Sequence, residues 1–484
     1  MLYLLMRLKM KTIFSIFSFL LLLFFLIYLK YAVQQFFNPK VLNAPLKVLD
    51  NSVFAEEIGL ILEGKKVDVS FPDIPVMVWW TSFTGDDGLQ ECDDGKSCFV
   101  TNDRKYMKHP NLANIFFYGT DFREYDLPLP RTDVHWSLLH EESPKNNQIF
   151  SHADMMSLFN HSSTFRKESD LALTTQYLEG LSSLIDDKYT NSFYQKNRLA
   201  EDEGLAPVVY VQSGCDTPSN RDIWVQEFMK YIQVDSLGSC LTNKDLPGSI
   251  RGSENMQNSD FYAEISKYKF MLTLENAVCP DYITEKLWRA LQLGVIPIYL
   301  GAPNVDEYLP NPTSIISIQN FSSVEDVANL VKNIAKNEKL YMQYMKHKTL
   351  KKVENQYLRH LLSERSWGVS VEDQMEKGNS VKHFQCLVCT RIHRSNKFKN
   401  MGFSSAVYRA TKEHYGCPVP VHPITKQVDY SDRYVQDYFR MKYSSAIIKN
   451  FSEKGARLPG KVEFNDLVLD KWKTEFMKWN SNKD

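Results

Sequence analysis

The densest run of residues able to do chemistry is Tyr268-Lys269-Phe270-Met271-Leu272-Thr273-Leu274-Glu275-Asn276-Ala277-Val278-Cys279-Pro280-Asp281-Tyr282-Ile283-Thr284-Glu285-Lys286-Leu287-Trp288-Arg289. An apolar strand leads into a polar loop and then a helix. The first turn of such a helix offers free N–H groups and the positive end of its dipole, which suits a diphosphate. Lys286 adds a mobile positive charge, and Glu285 beside it can accept hydrogen bonds from sugar hydroxyls. The same residues also make an ordinary surface helix, capped by Asp281 and carrying Glu285 and Arg289 as an i,i+4 pair. On spacing alone that account is the simpler one. No Asp-x-Asp occurs in the chain, so the carboxylate pair that commonly holds a metal on a diphosphate is missing. Cations of the chain itself would have to meet such a charge.

Short apolar runs separated by helical stretches must position these residues. Val76–Trp80, Ile115–Gly119 and Val134–Leu139 have strand length, and Gly85, Asp86, Asp87 and Gly88 mark a loop. A second alternating unit starts at Pro207. Val208–Val211 predicts a strand, and Trp224, Val225, Phe228, Met229 and Ile232 lie at helical spacing. Phe270–Leu274 is another strand, and Thr284–Leu293 a helix that Gly294 stops. In the next strand, Val295–Gly301, Pro297 predicts a sheet edge or a bulge. Ser314–Ile318 and a helix from Val324 continue the alternation. Residues 205 to about 340 therefore read as a doubly wound α/β sheet, which binds ligands beyond the carboxyl ends of its strands.

A chain of 484 residues is too long for one ordinary domain. With 43% hydrophobic and 24% charged residues it is globular, and a net charge of −1 excludes the basic excess of a nucleic-acid binder. Thr12–Leu29 holds eighteen uncharged residues between Lys11 and Lys30. As a helix they span roughly 27 Å, enough for a bilayer. The alternative, a cleaved signal peptide, would want a small-x-small site after the run, where Lys30-Tyr31-Ala32-Val33 stands. An uncleaved signal-anchor puts the N-terminus in the cytosol and the body in the secretory lumen. Sequons at Asn160, Asn320 and Asn450 agree with that side. Cys386-x-x-Cys389 reads as a short structural disulfide, because a zinc site would want a second pair. Cys92 and Cys98 suggest another local bridge, and the pairings of Cys215, Cys240, Cys279 and Cys417 are not derivable.

The segment Asp281 to Lys286 resembles, residue for residue, the donor motif of the alpha-1,3-fucosyltransferase family, with Ala277 in place of the usual Ser. The likeness continues through Gly294, Val295, Pro297 and Gly301. Glu142-Ser143-Pro144, Leu158-Phe159-Asn160, Thr164–Asp170, and Val211-Gln212-Ser213-Gly214 with Arg221 resemble further family stretches, with Gly214 where Asn is usual. His140–Asn147, Asp121-Phe122 and Cys386-Leu387-Val388-Cys389 look most like the divergent branch of fucosyltransferases ten and eleven, which implies transfer to Ser/Thr of EMI modules.

The resemblance implies a GT-B type glycosyltransferase of two Rossmann-like domains, with GDP-fucose as donor, inversion at the anomeric carbon and no required cofactor. It divides the chain into a cytosolic tail (1–11), a transmembrane anchor (12–29), a stem (30–74), an acceptor domain (75–204), a donor domain (205–375) and a C-terminal extension (376–484). It assigns the catalytic base to Glu142, and donor binding to Arg221, Glu275, Asn276, Tyr282, Glu285 and Lys286, with no metal. Glu141 next to Glu142 would raise the pKa of one of the pair, or be the base itself. The implied acceptor is a secretory glycoprotein or an EMI module, in the endoplasmic reticulum or Golgi. Transfer to N-acetylglucosamine of N-glycans is the alternative acceptor chemistry, and an inactive lumenal binding protein or chaperone the alternative class.

Overall fold

The computed structural model describes residues 74–481 except 82, 84, 86, 93, 94, 253, 254 and 405. The expected tail and anchor, and the stem up to residue 73, lie outside the described residues. Among the described residues no helix is long and apolar enough to cross a membrane.

Two sheets carry the fold. The first has the order β2-β3-β1-β4-β5-β6-β7. Its strands are β1 (Val76–Trp79), β2 (Gly88–Glu91), β3 (Ser97–Thr101), β4 (Leu112–Tyr118), β5 (His135–His140), β6 (His161–Thr164) and β7 (Leu171–Ala172). Only the β2–β3 pair is antiparallel. The second sheet is parallel throughout, in the order β12-β11-β10-β8-β9. It comprises β8 (Val208–Tyr210), β9 (Val234–Ser236), β10 (Phe270–Leu274), β11 (Ile296–Leu300) and β12 (Ile316–Ser317).

Strands β10 and β11 are buried along their whole length. Helices and loops cover both faces of a parallel sheet, so its strands read as unbroken apolar runs. Phe270, Leu272 and Leu274 face one core and Met271 the other. Among the helices that pack on the second sheet are α1 (Arg221–Phe228), α2 (Glu285–Gln292) and α3 (Val324–Lys336). Helix α1 ends earlier than its apolar spacing predicts, although Ile232 still reaches the core through the turns that follow. Helix α2 begins after Thr284, whose hydroxyl accepts from the Lys286 N–H. It ends at Gly294, which takes φ 65°. The Val295 N–H then returns to the Ala290 carbonyl at 2.9 Å.

Pro297 does not mark a sheet edge. β11 lies between β10 and β12. The Ile296 N–H points to the Lys269 carbonyl on the β10 side, so position 297 faces the other way. On that side β12 begins pairing only at Ile298, and no ladder bond is lost.

The C-terminal extension returns to the first sheet as three long helices, α4 (Ser380–Asn400), α5 (Arg433–Glu453) and α6 (Lys461–Ser481). Phe384, Val388 and Ile392 of α4 pack on Met77, Trp79 and Phe116. Met441 and Ile448 of α5, with Phe464 and Val468 of α6, cover the opposite core beside Phe150 and Met156. Cys386 and Cys389 do not bond each other. They sit one helical turn apart on α4 and join Cys92 and Cys98 of the β2–β3 hairpin, so the expected Cys92–Cys98 bridge is also absent. The remaining bridges are Cys215–Cys240 and Cys279–Cys417.

Candidate active site

The loops after β5, β8 and β10 meet at the carboxyl ends of both sheets. The loop after β10 is the more tightly built. Glu275 is fully buried, and its two carboxylate oxygens accept from the Thr284 N–H and the Thr284 hydroxyl, both at 2.7 Å. Lys286 lies 3.4 Å from Glu275 and 3.2 Å from Glu285, with its ammonium 2.9 Å from the Thr284 hydroxyl. Burial opposes the charge on Lys286, but Glu275 and Glu285 outweigh it and raise its pKa. For Glu285 burial likewise opposes ionisation, and Lys286 and Arg289 outweigh it, holding the carboxyl below its usual range. About a third of the Glu285 side chain stays exposed, free to meet a ligand. Arg221 is buried and donates to the carbonyls of Leu274 at 2.7 Å and Gly214 at 3.0 Å. The half-buried Asn276 ties this loop to α1, its carbonyl accepting from the Ser219 N–H at 3.0 Å.

The loop after β5 is built differently. Glu142 is partly buried, and burial followed by Glu141 pushes its carboxyl above the ordinary range, against an opposing pull from Lys286. Glu141 accepts from the Tyr118 hydroxyl at 2.9 Å with one oxygen, while its other oxygen is buried without a partner. Burial raises its pKa too. Below them His140 is fully buried with neither ring nitrogen bonded, so burial lowers it to about 3 and it stays neutral. Tyr282 and Tyr177 stand within electrostatic reach of Glu142, and burial lifts both phenols well above their usual value. Among the described residues, no three carboxylates or histidines of this cleft converge as metal ligands. The Cys98, Cys389 and His393 group elsewhere has its two sulfurs joined to each other.

Comparison with known proteins gives the family of the chain. The family model described as "Glycosyltransferase family 10 (fucosyltransferase) C-term" matches residues 203–405, and the model described as "Fucosyltransferase, N-terminal" matches residues 73–177. The chain belongs to glycosyltransferase family 10, the fucosyltransferases. It is 41% identical to GDP-fucose protein O-fucosyltransferase 3 of Xenopus laevis over 407 residues, 82% of this chain and 85% of that one. The protein of the same name from Homo sapiens is 42% identical, with 76% of each chain covered, and that from Danio rerio is 44% identical over 73% of this chain and 76% of its own. A solved alpha1,3-fucosyltransferase with GDP-fucose aligns at a TM-score of 0.38 and 15% identity, over 72% of this chain and 95% of that one.

In this fucosyltransferase Asp281 does not cap α2. It lies fully buried at φ 63° and accepts from Arg166, the Lys167 N–H, Asn304 and Tyr308. The Arg166 contact, at 2.9 Å, bolts the loop after β6 of the first sheet to the loop after β10 of the second. Two groups that the sequence did not single out complete the site. Tyr415, from the extension, donates to the Glu142 carbonyl at 3.0 Å and stacks on His140. Its near neighbour Cys417 is bonded to Cys279 of the donor loop. The N-terminus of α5 closes the same seam, with Asp432 accepting from Asn220 and the Tyr434 carbonyl from Gln148, both at 2.8 Å. No local pattern in the tail signals these contacts.

Of the three expected glycosylation sites, Asn160 is half-buried. His161 and Ser162 of its sequon are fully buried in β6. The Asn160 amide donates to the Tyr408 carbonyl at 3.1 Å and accepts from the Trp136 N–H at 2.9 Å. Asn320 and Asn450 are exposed.

Proposed function

We propose that this fucosyltransferase moves L-fucose from GDP-fucose to Ser or Thr of a secreted protein, with inversion, using Glu142 as base. The observation that carries the reading is the pairing of a carboxylate of raised pKa with the cations Lys286 and Arg221 across one cleft. The acceptor hydroxyl gives its proton to Glu142 as its oxygen bonds the anomeric carbon. The bond from that carbon to the β-phosphate oxygen breaks, and GDP leaves with the electron pair. A base whose pKa has risen toward neutrality is better matched to that proton. The cations offset the charge gathering on the leaving diphosphate. Glu275 acts by holding Thr284 and Lys286 in place, while Glu285, Asn276 and Tyr282 line the donor side.

The relatives' printed name supports GDP-fucose and a protein acceptor. The finer choice of an EMI module rests on the resemblance of His140–Asn147 and the Cys386 region to the divergent branch. Type II anchoring in the endoplasmic reticulum or Golgi rests on the apolar run Thr12–Leu29 and on the exposed Asn320 and Asn450. The bonding of all eight cysteines in disulfides fits an oxidising lumen.

Mass spectrometry of an EMI module and of a biantennary N-glycan, each incubated with the purified protein and GDP-fucose, tests the acceptor. Fucose on a Ser or Thr of the module is the expected product. Fucose on the glycan alone selects the N-acetylglucosamine reaction, and binding without transfer to either selects an inactive binder. Protease treatment of sealed microsomes should spare residues 75–484.

A further inference from the structure

We propose that Lys145 is a third diphosphate-binding cation, reaching the donor from the loop that carries Glu142, so that both sheets hold the phosphates. The inference rests on reading the cleft as a GDP-fucose site. Lys145 follows Glu142 by three residues. Ser143 and Pro144 between them are buried, and the Ser143 carbonyl accepts from the Asn146 N–H at 3.0 Å. That turn holds the loop in place and sends the Lys145 side chain outward to solvent.

The side chain crosses to the second sheet. Its ammonium stands where a β-carbon on Gly214 would lie 3.4 Å away. The Gly214 carbonyl is the one that Arg221 donates to at 3.0 Å. Lys145 and Arg221, from different sheets, therefore converge on one glycine. Lys286 stands close enough to repel both. Burial and then Arg221 push the Lys145 ammonium below its usual pKa, against weaker pulls from Asp216 and Glu142. Among the described residues no carboxylate lies at ion-pair distance from Lys145. Lys286 has Glu275 and Glu285, and Asp216 is bonded to Arg433. Arg221 donates to two neutral carbonyls and has no carboxylate at ion-pair distance among the described residues, with its buried Nε unbonded.

Lys145 and Arg221, brought together with no carboxylate at ion-pair distance of either among the described residues, raise the free energy of the empty site, and a polyanion relieves it. The diphosphate of a nucleotide has the right charge for three converging cations. Because Lys145 and Glu142 share one short loop, a donor held by Lys145 also holds the base in place, and loss of GDP frees both.

Calorimetry of GDP binding to the full-length protein, its Lys145→Met and its Lys145→Arg variants tests this. Lys145→Met keeps the length and apolar stem while removing the charge. It should weaken GDP about tenfold, the scale of one charge-assisted hydrogen bond. Lys145→Arg should stay within about threefold of the wild type, and both variants should melt with it, since the side chain is exposed. Lys145→Met binding GDP as tightly as the wild type overturns the proposal. So does Lys145→Arg losing as much as Lys145→Met, which would show a need for shape and not for charge. Failure of the wild type itself to bind GDP overturns the donor reading instead.

Discussion

The loops that leave β10 and β5 face the same cleft and are built on opposite plans. After β10 the buried carboxylates are answered. Glu275 has Thr284 and Lys286, and Asp281 has four donors. After β5 the buried groups are left short: Glu141 has an unbonded oxygen and His140 has two unbonded nitrogens. The difference fits the two tasks proposed for these loops. A donor site must hold its dipoles in place before the substrate arrives, because reorganisation during the reaction costs rate. A base must hold a proton loosely enough to take it and give it up, which needs a carboxylate that its surroundings do not fully stabilise. A full set of partners around Glu142 would lower its pKa and blunt it.

The contrast is broken or sharpened by four substitutions. The largest effect should come from Glu142→Gln, which keeps shape and removes basicity. Fucose transfer should fall by roughly 10²–10⁴-fold, the usual share of a general base, while calorimetry finds GDP affinity unchanged. Near-normal turnover would move the base to Glu141 or elsewhere.

Next in size is Asp281→Ala, which should act on stability. It leaves the buried Arg166 with Glu168 as its remaining ion-pair partner. Loss of one half of a buried pair costs about 3 kcal/mol, read from urea unfolding at neutral pH. Burial raises the Asp281 carboxyl, but its hydrogen bonds to Tyr308, Asn304, Lys167 and Arg166 more than offset that and lower it overall. Its stabilisation is therefore present at neutral pH and lost as pH falls through the lowered value. An unchanged unfolding midpoint would show that the inter-sheet bolt carries no load.

Lys286→Ala should weaken GDP by about 1.5–3 kcal/mol, the range for hydrogen bonds to charged groups, and lower turnover as well. GDP affinity equal to the wild type would place the diphosphate away from α2.

The smallest effect is expected from Glu141→Gln. Burial first and Glu141 second raise the Glu142 carboxyl. The acid limb of kcat/KM against pH should thus start above the ordinary carboxylate range and move to lower pH in this variant. A limb that stays in place would uncouple the two carboxylates.

The stretch around β10 and α2 was legible in the sequence because local rules govern it. The apolar run Phe270–Leu274, the helix start beside Thr284 and the stop at Gly294 fall within one residue of where spacing predicts them. The alternation of strands and helices over 205 to about 340, and the family likeness of Glu142, Arg221 and Lys286, were equally open to reading. What only the tertiary structure decided involves partners far apart in the chain. Helix α4 turned Cys386 and Cys389 toward the β2–β3 hairpin and not toward each other. Folding buried His161 and Ser162 in β6 and left Asn160 beside them half-buried. The apparent cap Asp281 became an inter-sheet bolt, and Tyr415 arrived under Glu142 from a tail with no pattern of its own. A sequence records periods and caps because they act over a few residues. It does not record which distant groups folding will bring within 3 Å, because those distances are set by the packing of whole sheets.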